Sequence, residues 1–230
     1  MHIVSTALLG SLLAILAMPT TASAAPLPSI SITEVAPWGS ASTYAADWFE
    51  LTNTGTSNVD ITGWKMDDNS NLFANAVALR GVTSIAAGQS VVFLEGTATG
   101  TTDATINANF LSAWFGSSVP AGVTLGNYGG SGVGLSATAD AVNIYDAAGT
   151  LISNVSFNAS TANVSFDNAA GLTGLISKLS VVGVNGAKTS FNSLETASIA
   201  SVPEPESLAM LFAGLALIGT MVRRRKANQA

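Results

Sequence analysis

Short apolar runs, each closed off by Gly, Asn, Asp or Pro, fill the middle of this chain and leave little room for helices. Ser29–Val35, Asp47–Asn53, Val59–Met66, Ser90–Glu95, Asp140–Asp146 and Leu151–Phe157 are rich in β-branched and aromatic residues, and none exceeds eight residues. That length and composition predict strands. Asn53-Thr-Gly-Thr-Ser-Asn58, Ala87-Gly88 and Asp146-Ala-Ala-Gly149 supply turn chemistry between them. The last of these predicts a hairpin joining Asp140–Asp146 to Leu151–Phe157. Helical periodicity is weak outside Ala108–Phe115. Many short strands without strand–helix alternation predict an all-β sandwich.

Length and charge sharpen the expectation. The chain has 230 residues, of which 48% are hydrophobic and only 10% charged. A typical globular chain has about a quarter of its residues charged. The apolar surplus is concentrated in Leu8–Ala17 and Leu208–Val222, leaving one domain over residues 29–198, large enough for a true core. Four of the eight basic residues are Arg223, Arg224, Arg225 and Lys226, so residues 25–202 hold four basic and twelve acidic residues, a net charge of −8. Nucleic acid calls for a basic stripe, and this domain has none. Cysteine is absent and the one histidine is His2. Thiolate or imidazole catalysis and His- or Cys-ligated zinc therefore have no residues to build on in the domain.

The two ends predict export. Ile3–Met18 is mostly apolar, Pro19 breaks it, and Ala22 and Ala24 satisfy the small-x-small rule for signal-peptidase cleavage. Residues 1–24 are expected to be a signal peptide read by the Sec translocon and signal peptidase, with residues 25–28 a linker. Its leading segment lacks Lys and Arg, a departure from the usual pattern. At the other end, residues 199–202 form a second linker before Pro203-Glu204-Pro205. The uncharged run Leu208–Val222 and the basic stop Arg223–Lys226 follow. Fifteen helical residues rise about 22 Å, short of a roughly 30 Å hydrocarbon core, and the basic cluster can snorkel to the headgroups. Residues 203–226, with 208–222 as transmembrane segment, resemble the PEP-CTERM sorting tail of Gram-negative bacteria. That resemblance implies recognition by an exosortase, transient inner-membrane anchoring, and delivery to the cell surface or extracellular matrix of an exopolysaccharide-producing bacterium.

A second resemblance lies in the middle. Ile32-Thr-Glu-Val, Asp47-Trp-Phe-Glu-Leu-Thr-Asn-Thr-Gly and Val59-Asp-Ile-Thr-Gly-Trp-Lys-Met-Asp-Asp stand in order, followed by Ile85-Ala-Ala-Gly-Gln-Ser-Val-Val-Phe and the hairpin from Asp140 to Phe157. These blocks resemble the lamin tail domain, which implies an immunoglobulin-like β-sandwich with Trp48 and Trp64 as core aromatics. Residues 97–135 read as an insertion between sandwich strands, and residues 158–184 remain ambiguous.

Candidate sites are few. Strict alternation puts Ile30, Ile32 and Glu34 on one face, so Glu34 either reaches solvent at a strand end or caps backbone amides. Asp67, Asp68, Asn69, Ser70 and Asn71 are the densest oxygen cluster, a weak calcium candidate that a polar turn explains equally well. Gly129-Gly-Ser-Gly-Val-Gly134 lacks the strand-then-helix setting of a phosphate cradle and reads as a flexible loop. Trp38 and Tyr44 are candidate ligand-binding residues, and Trp114 and Tyr128 are further candidates for stacking on sugar rings. The leading expectation is an exported, non-enzymatic surface or matrix protein with a structural or adhesive role, needing no cofactor, whose partners are extracellular polysaccharide or other matrix proteins. The alternatives are a carbohydrate-binding or calcium-dependent adhesion module, with its site at Trp38–Tyr44 and Asp67–Asn71, and a carboxylate-based glycan hydrolase using Glu34, Glu50 or Glu95.

Overall fold

A computed structural model describes residues 29–199. The expected signal peptide with its cleavage residues Ala22 and Ala24 lies outside the described residues. So do the sorting residues Pro203, Glu204 and Pro205 and the basic stop Arg223–Lys226. In chain order the elements are β1 (Ile30–Ala36), β2 (Trp48–Asn53), β3 (Val59–Asp60), β4 (Lys65–Asp67), β5 (Val77–Ala78), β6 (Ser84–Ile85) and β7 (Ser90–Gly96). Then come α1 (Asp103–Phe115), β8 (Leu125–Gly129), β9 (Asp140–Tyr145), β10 (Leu151–Phe157), β11 (Phe166–Asp167), β12 (Gly174–Ile176), β13 (Lys188–Thr189) and β14 (Thr196–Ala197). A short 3₁₀ turn at Gly39–Ala41 sits between β1 and β2.

Two five-stranded sheets face each other, one ordered β11-β1-β2-β7-β8 and the other β12-β10-β9-β4-β5. This is the all-β, immunoglobulin-like sandwich that the strand pattern predicts. Inward residues of the first sheet (Ile32, Val35, Phe49, Leu51, Val91, Phe93) and of the second (Met66, Val142, Ile144, Val155, Phe157) form one buried core. Trp64 joins that core, while Trp48 faces the other way. Asn53 stitches the loop beyond β2: its amide donates to the Ser57 and Ile85 carbonyls at 2.8 and 2.9 Å and accepts the Gly55 N–H at 3.0 Å. A buried amide with both ends satisfied fixes the turn that follows it.

Three expectations change. The segment Val59–Met66 is two strands, broken where Gly63 takes φ +76°, a left-handed turn that glycine allows cheaply. Residues 97–135 are built into the sandwich: β8 pairs parallel with β7, and a parallel neighbour needs a crossover, which α1 provides. The helix begins at Asp103, five residues before the periodic stretch at Ala108–Phe115. Arg80 ties its first turn down with a two-point contact to Asp103 at 2.9 and 3.0 Å.

The third change concerns Glu34. The β1–β2 register runs Ile32↔Leu51 and then Glu34↔Glu50, so two steps on β1 oppose one on β2. That β-bulge at Thr33 breaks the alternation and turns Glu34 away from Ile32, onto the outer face beside Glu50. Alternation alone placed Glu34 in line with the core, and one extra residue reverses it.

The outer face of the first sheet is covered. Ala36, Trp48, Val92 and Leu94 pack against Phe110, Trp114 and Phe115 of α1 and against Ala197 and Ile199 of the last segment. β7 is therefore buried on both faces, which explains its unbroken apolar run Val91–Leu94.

Candidate functional site

The bulge gathers polar groups on the outer face, beside the apolar layer under α1. Glu34 is wholly buried, and its Oε1 accepts three hydrogen bonds, from the Ser165 hydroxyl at 2.5 Å, the Ser180 hydroxyl at 3.0 Å and the Ser198 backbone N–H at 2.7 Å. Its Oε2 has no hydrogen-bond partner among the described residues. Burial, and then the neighbouring Glu50, push the Glu34 carboxyl up to about 8. Desolvation penalises the charged form, and a like charge alongside adds to it. Glu34 thus holds a proton at neutral pH and joins β1 to three points of the chain's last third.

Glu50 opens the other way. Thr33 donates its hydroxyl to Glu50 Oε1 at 2.7 Å, and the Thr33, Thr52 and Ser90 hydroxyls continue as a chain with spacings of 2.8 and 2.7 Å. These four residues line a cavity of about 250 Å³ with Asn53, Thr54 and Ser198. Directly opposed residues on neighbouring strands have Cβ atoms about 5 Å apart. Glu34 and Glu50 therefore stand side by side, with Glu34 sealed by serines.

Two more acids stand nearby, Glu195 buried in this outer layer and Glu95 half-buried at the end of β7. Tyr44 donates to Glu195 Oε2 at 3.2 Å and accepts the Trp48 indole N–H at 3.1 Å. Burial raises Glu195 to about 7. Glu95 is also raised to about 7, by burial first and then by the charge and side-chain hydrogen bond of Asp47. The glycine-rich loop wraps this carboxyl: a Cβ on Gly130 would fall 1.6 Å from Glu95 Oε1, and one on Gly134 at 3.1 Å. Those glycines make room for a glutamate.

The structure relocates the expected ligand-binding aromatics. Trp38, Tyr44, Trp114 and Tyr128 are 5%, 1%, 2% and 0% exposed, so none presents the open ring face that sugar stacking requires. Trp38 donates its indole N–H to the Val164 carbonyl at 2.9 Å, and Tyr128 packs on Phe49 at 5.3 Å. The reason is the third layer: Trp114 points inward from α1 onto the sheet face carrying Trp48, Trp38 and Tyr44 are packed into the same layer, and Tyr128 lies in the core between the sheets.

At the calcium candidate, Asp67 Oδ2 accepts the Ser70 hydroxyl and the Leu72 N–H, each at 2.7 Å, and Asp68 Oδ1 accepts the Ser70 N–H at 2.9 Å. Asn69 donates its N–H to Asp140 at 3.0 Å, and Asn71 accepts the Tyr145 hydroxyl at 2.5 Å. These contacts thus bind the turn and its neighbours Asp140 and Tyr145, and among the described residues only Asp67 Oδ1 of the buried oxygens here lacks a hydrogen-bond partner. Among the described residues no group of three or more acidic side chains is placed to hold a metal ion. Beside this turn lies an open polar hollow of about 360 Å³ lined by Asn69, Asn71, Asp140, Asn143 and Asn154.

Sequence reasoning missed the serines at 165, 180 and 198 and Glu195. The only available signal was an acid inside an otherwise apolar strand, which needs partners somewhere.

Comparison with known families agrees with this geometry. The Lamin Tail Domain model matches residues 23–159, and the PEP-CTERM protein-sorting motif matches residues 201–226. Neither family is catalytic, and the sorting motif marks proteins recognised by an exosortase and exported to the surface of Gram-negative cells. No curated protein and no solved structure matches the chain. The matched stretch carries most of both sheets, while β11–β14 and the flanking Ser165, Ser180 and Ser198 that donate to Glu34 lie beyond it. With more than half of its residues in that match, the chain belongs to the lamin tail domain family and carries a PEP-CTERM sorting motif after the domain.

Proposed function

We propose that this chain is a non-enzymatic scaffold of the cell surface or extracellular matrix, released outward by an exosortase after transient anchoring through Leu208–Val222. Its role is structural or adhesive association with exopolysaccharide. The observation that carries the reading is the order of parts: a closed sandwich followed, beyond Ile199, by the sorting motif at residues 201–226. Its acids support it as well. Glu34 is sealed by serines and Glu195 is buried beneath Tyr44, so neither is open to a substrate. Polysaccharide contact would fall on the hollow lined by Asn69, Asn71 and Asn154, whose side-chain amides can donate to and accept from sugar hydroxyls, above the buried Asp140 and Asn143.

The test is fractionation of the producing cells. The chain is expected to sediment with crude exopolysaccharide and to be released when that polysaccharide is enzymatically degraded. Recovery entirely in the soluble medium, unchanged by the degradation, would count against a matrix role.

A further inference from the structure

We infer that the turn from Val181 to Ala187 is a membrane-contacting surface, which rests on the lipid headgroup region while the chain is held by its tail. This rests on the reading of Leu208–Val222 as a membrane segment. Three observations support it. Val181, Val182 and Val184 are 57%, 59% and 41% exposed. Adjacent aliphatics on a tight turn, closed by Val184 N–H to the Val181 carbonyl at 2.9 Å and Gly183 N–H to the Ala187 carbonyl at 2.8 Å, face solvent together. A cluster of this kind marks an interaction site more often than a scattered leucine does.

Position supplies the occupant. In the β13–β14 ribbon Lys188 opposes Ala197, so the turn ending at Ala187 and the chain leaving through Ile199 lie at the same end. Eight residues, two of them proline, separate Ile199 from Leu208. Fully extended they span at most about 28 Å. A domain of this size has a radius of gyration near 16 Å, roughly 40 Å across. The tether is therefore shorter than the body, and the surface around the exit is the part held against the bilayer.

Charge points the same way. From residue 29 through Asp167 the chain has eleven acidic and two basic residues, whereas residues 168–199 contain Lys178, Lys188 and the buried Glu195. The two lysines flank the valine turn, three residues before Val181 and four after Val184. Lys178 keeps a largely exposed side chain while pairing with Asp167 at 2.7 Å, and Lys188 lies over the Phe115 ring at 4.2 Å. Lys178 is neutralised by the buried Asp167, so the tip itself is near neutral with Lys188 beside it, while the acidic remainder of the domain is repelled from anionic headgroups.

The absence of cysteine makes the test clean. Full-length Val182→Cys is labelled with an environment-sensitive fluorophore and reconstituted through its own tail into phosphatidylethanolamine–phosphatidylglycerol vesicles. Full-length Leu72→Cys, at an exposed site in the β4–β5 loop, serves as the reference. The label at position 182 is expected to be quenched by doxyl lipids and to be several-fold less accessible to iodide than the label at 72. Val184→Cys provides a second position with the same expectation. Flotation with both labels equally open to iodide overturns the surface assignment and leaves anchoring standing. Shielding from iodide without quenching by lipid assigns the turn to a protein contact and overturns it too. Failure of the chain to float with the vesicles refutes anchoring and this inference together.

Discussion

Replacing Glu34 by Gln should flatten the pH dependence of stability and make the domain more stable at slightly alkaline pH. The unfolded carboxyl titrates near 4.5 and the folded one near 8, because the folded site is desolvated and adjoins Glu50. Between those values the folded state holds a proton that the unfolded state has lost. Stability from this group is thus fully present below about 4.5, falls as pH rises through the window, and levels off above 8. One extra bound proton is worth about 1.4 kcal/mol per pH unit, so moving from pH 5.5 to 7.5 removes roughly 3 kcal/mol, an upper figure for a site that can relax. For a domain of this size that is a fall of about 6–12 °C in melting temperature. Gln keeps an oxygen for Ser165, Ser180 and the Ser198 N–H and carries no titratable proton. Urea denaturation followed by tryptophan fluorescence reads it, since Trp48 and Trp114 are buried in the adjoining layer. Glu95 and Glu195, raised to about 7, add their own slope at lower pH, so the cleanest comparison lies between pH 7 and 8. A wild type whose stability is flat or rising there, or a variant with the same slope, would refute the buried-proton argument.

Asn53→Ala should cost about 3 kcal/mol, because it strands the Ser57 and Ile85 carbonyls and the Gly55 N–H, and denaturant midpoints will show it. Gly130→Ala must displace the Glu95 carboxyl, costing about 1–3 kcal/mol. In carbon-detected titration, Glu95 should then fall from about 7 toward an ordinary carboxylate value. Phe110→Ala, at a fully buried ring touching Tyr44, Trp48 and Trp114, should loosen α1 and cost about 3–5 kcal/mol. Millimolar calcium should leave the melting temperature unchanged, since Asp67 Oδ2 and Asp68 Oδ1 already accept hydrogen bonds within their own turn; a clear upward shift would reinstate a cation there.

The longer strands were legible because each carries both an apolar run and a turn residue at its end. β1, β2, β7, β9 and β10 fall within a residue of the predicted segments for that reason. Register was not legible. The bulge at Thr33 arises from how β1 meets β2, and no pattern within β1 announces that Glu34 leaves the face of Ile32. β11, β13 and β14 have two residues each, too short for any period, yet the segments around them supply the donors on Glu34. Exposure of Trp38, Tyr44 and Trp114 was misread for a related reason. A loop aromatic looks available until a third layer covers it, and α1, with Thr105 and Asn109 exposed, Asn107 bonded to Asn127, and Phe110, Trp114 and Phe115 inward, gives only a faint period. The sorting residues were legible outright, since recognition there reads linear sequence rather than a folded surface.

The central claim is that the sorting motif delivers this domain outside the cell and is then removed. Mass spectrometry of the mature chain from the surface fraction tests it most directly. A last residue near Pro203–Pro205, with Leu208–Lys226 gone, is the predicted result. A surface-fraction chain still ending in Arg223-Arg224-Arg225-Lys226 and the residues after it would contradict the account.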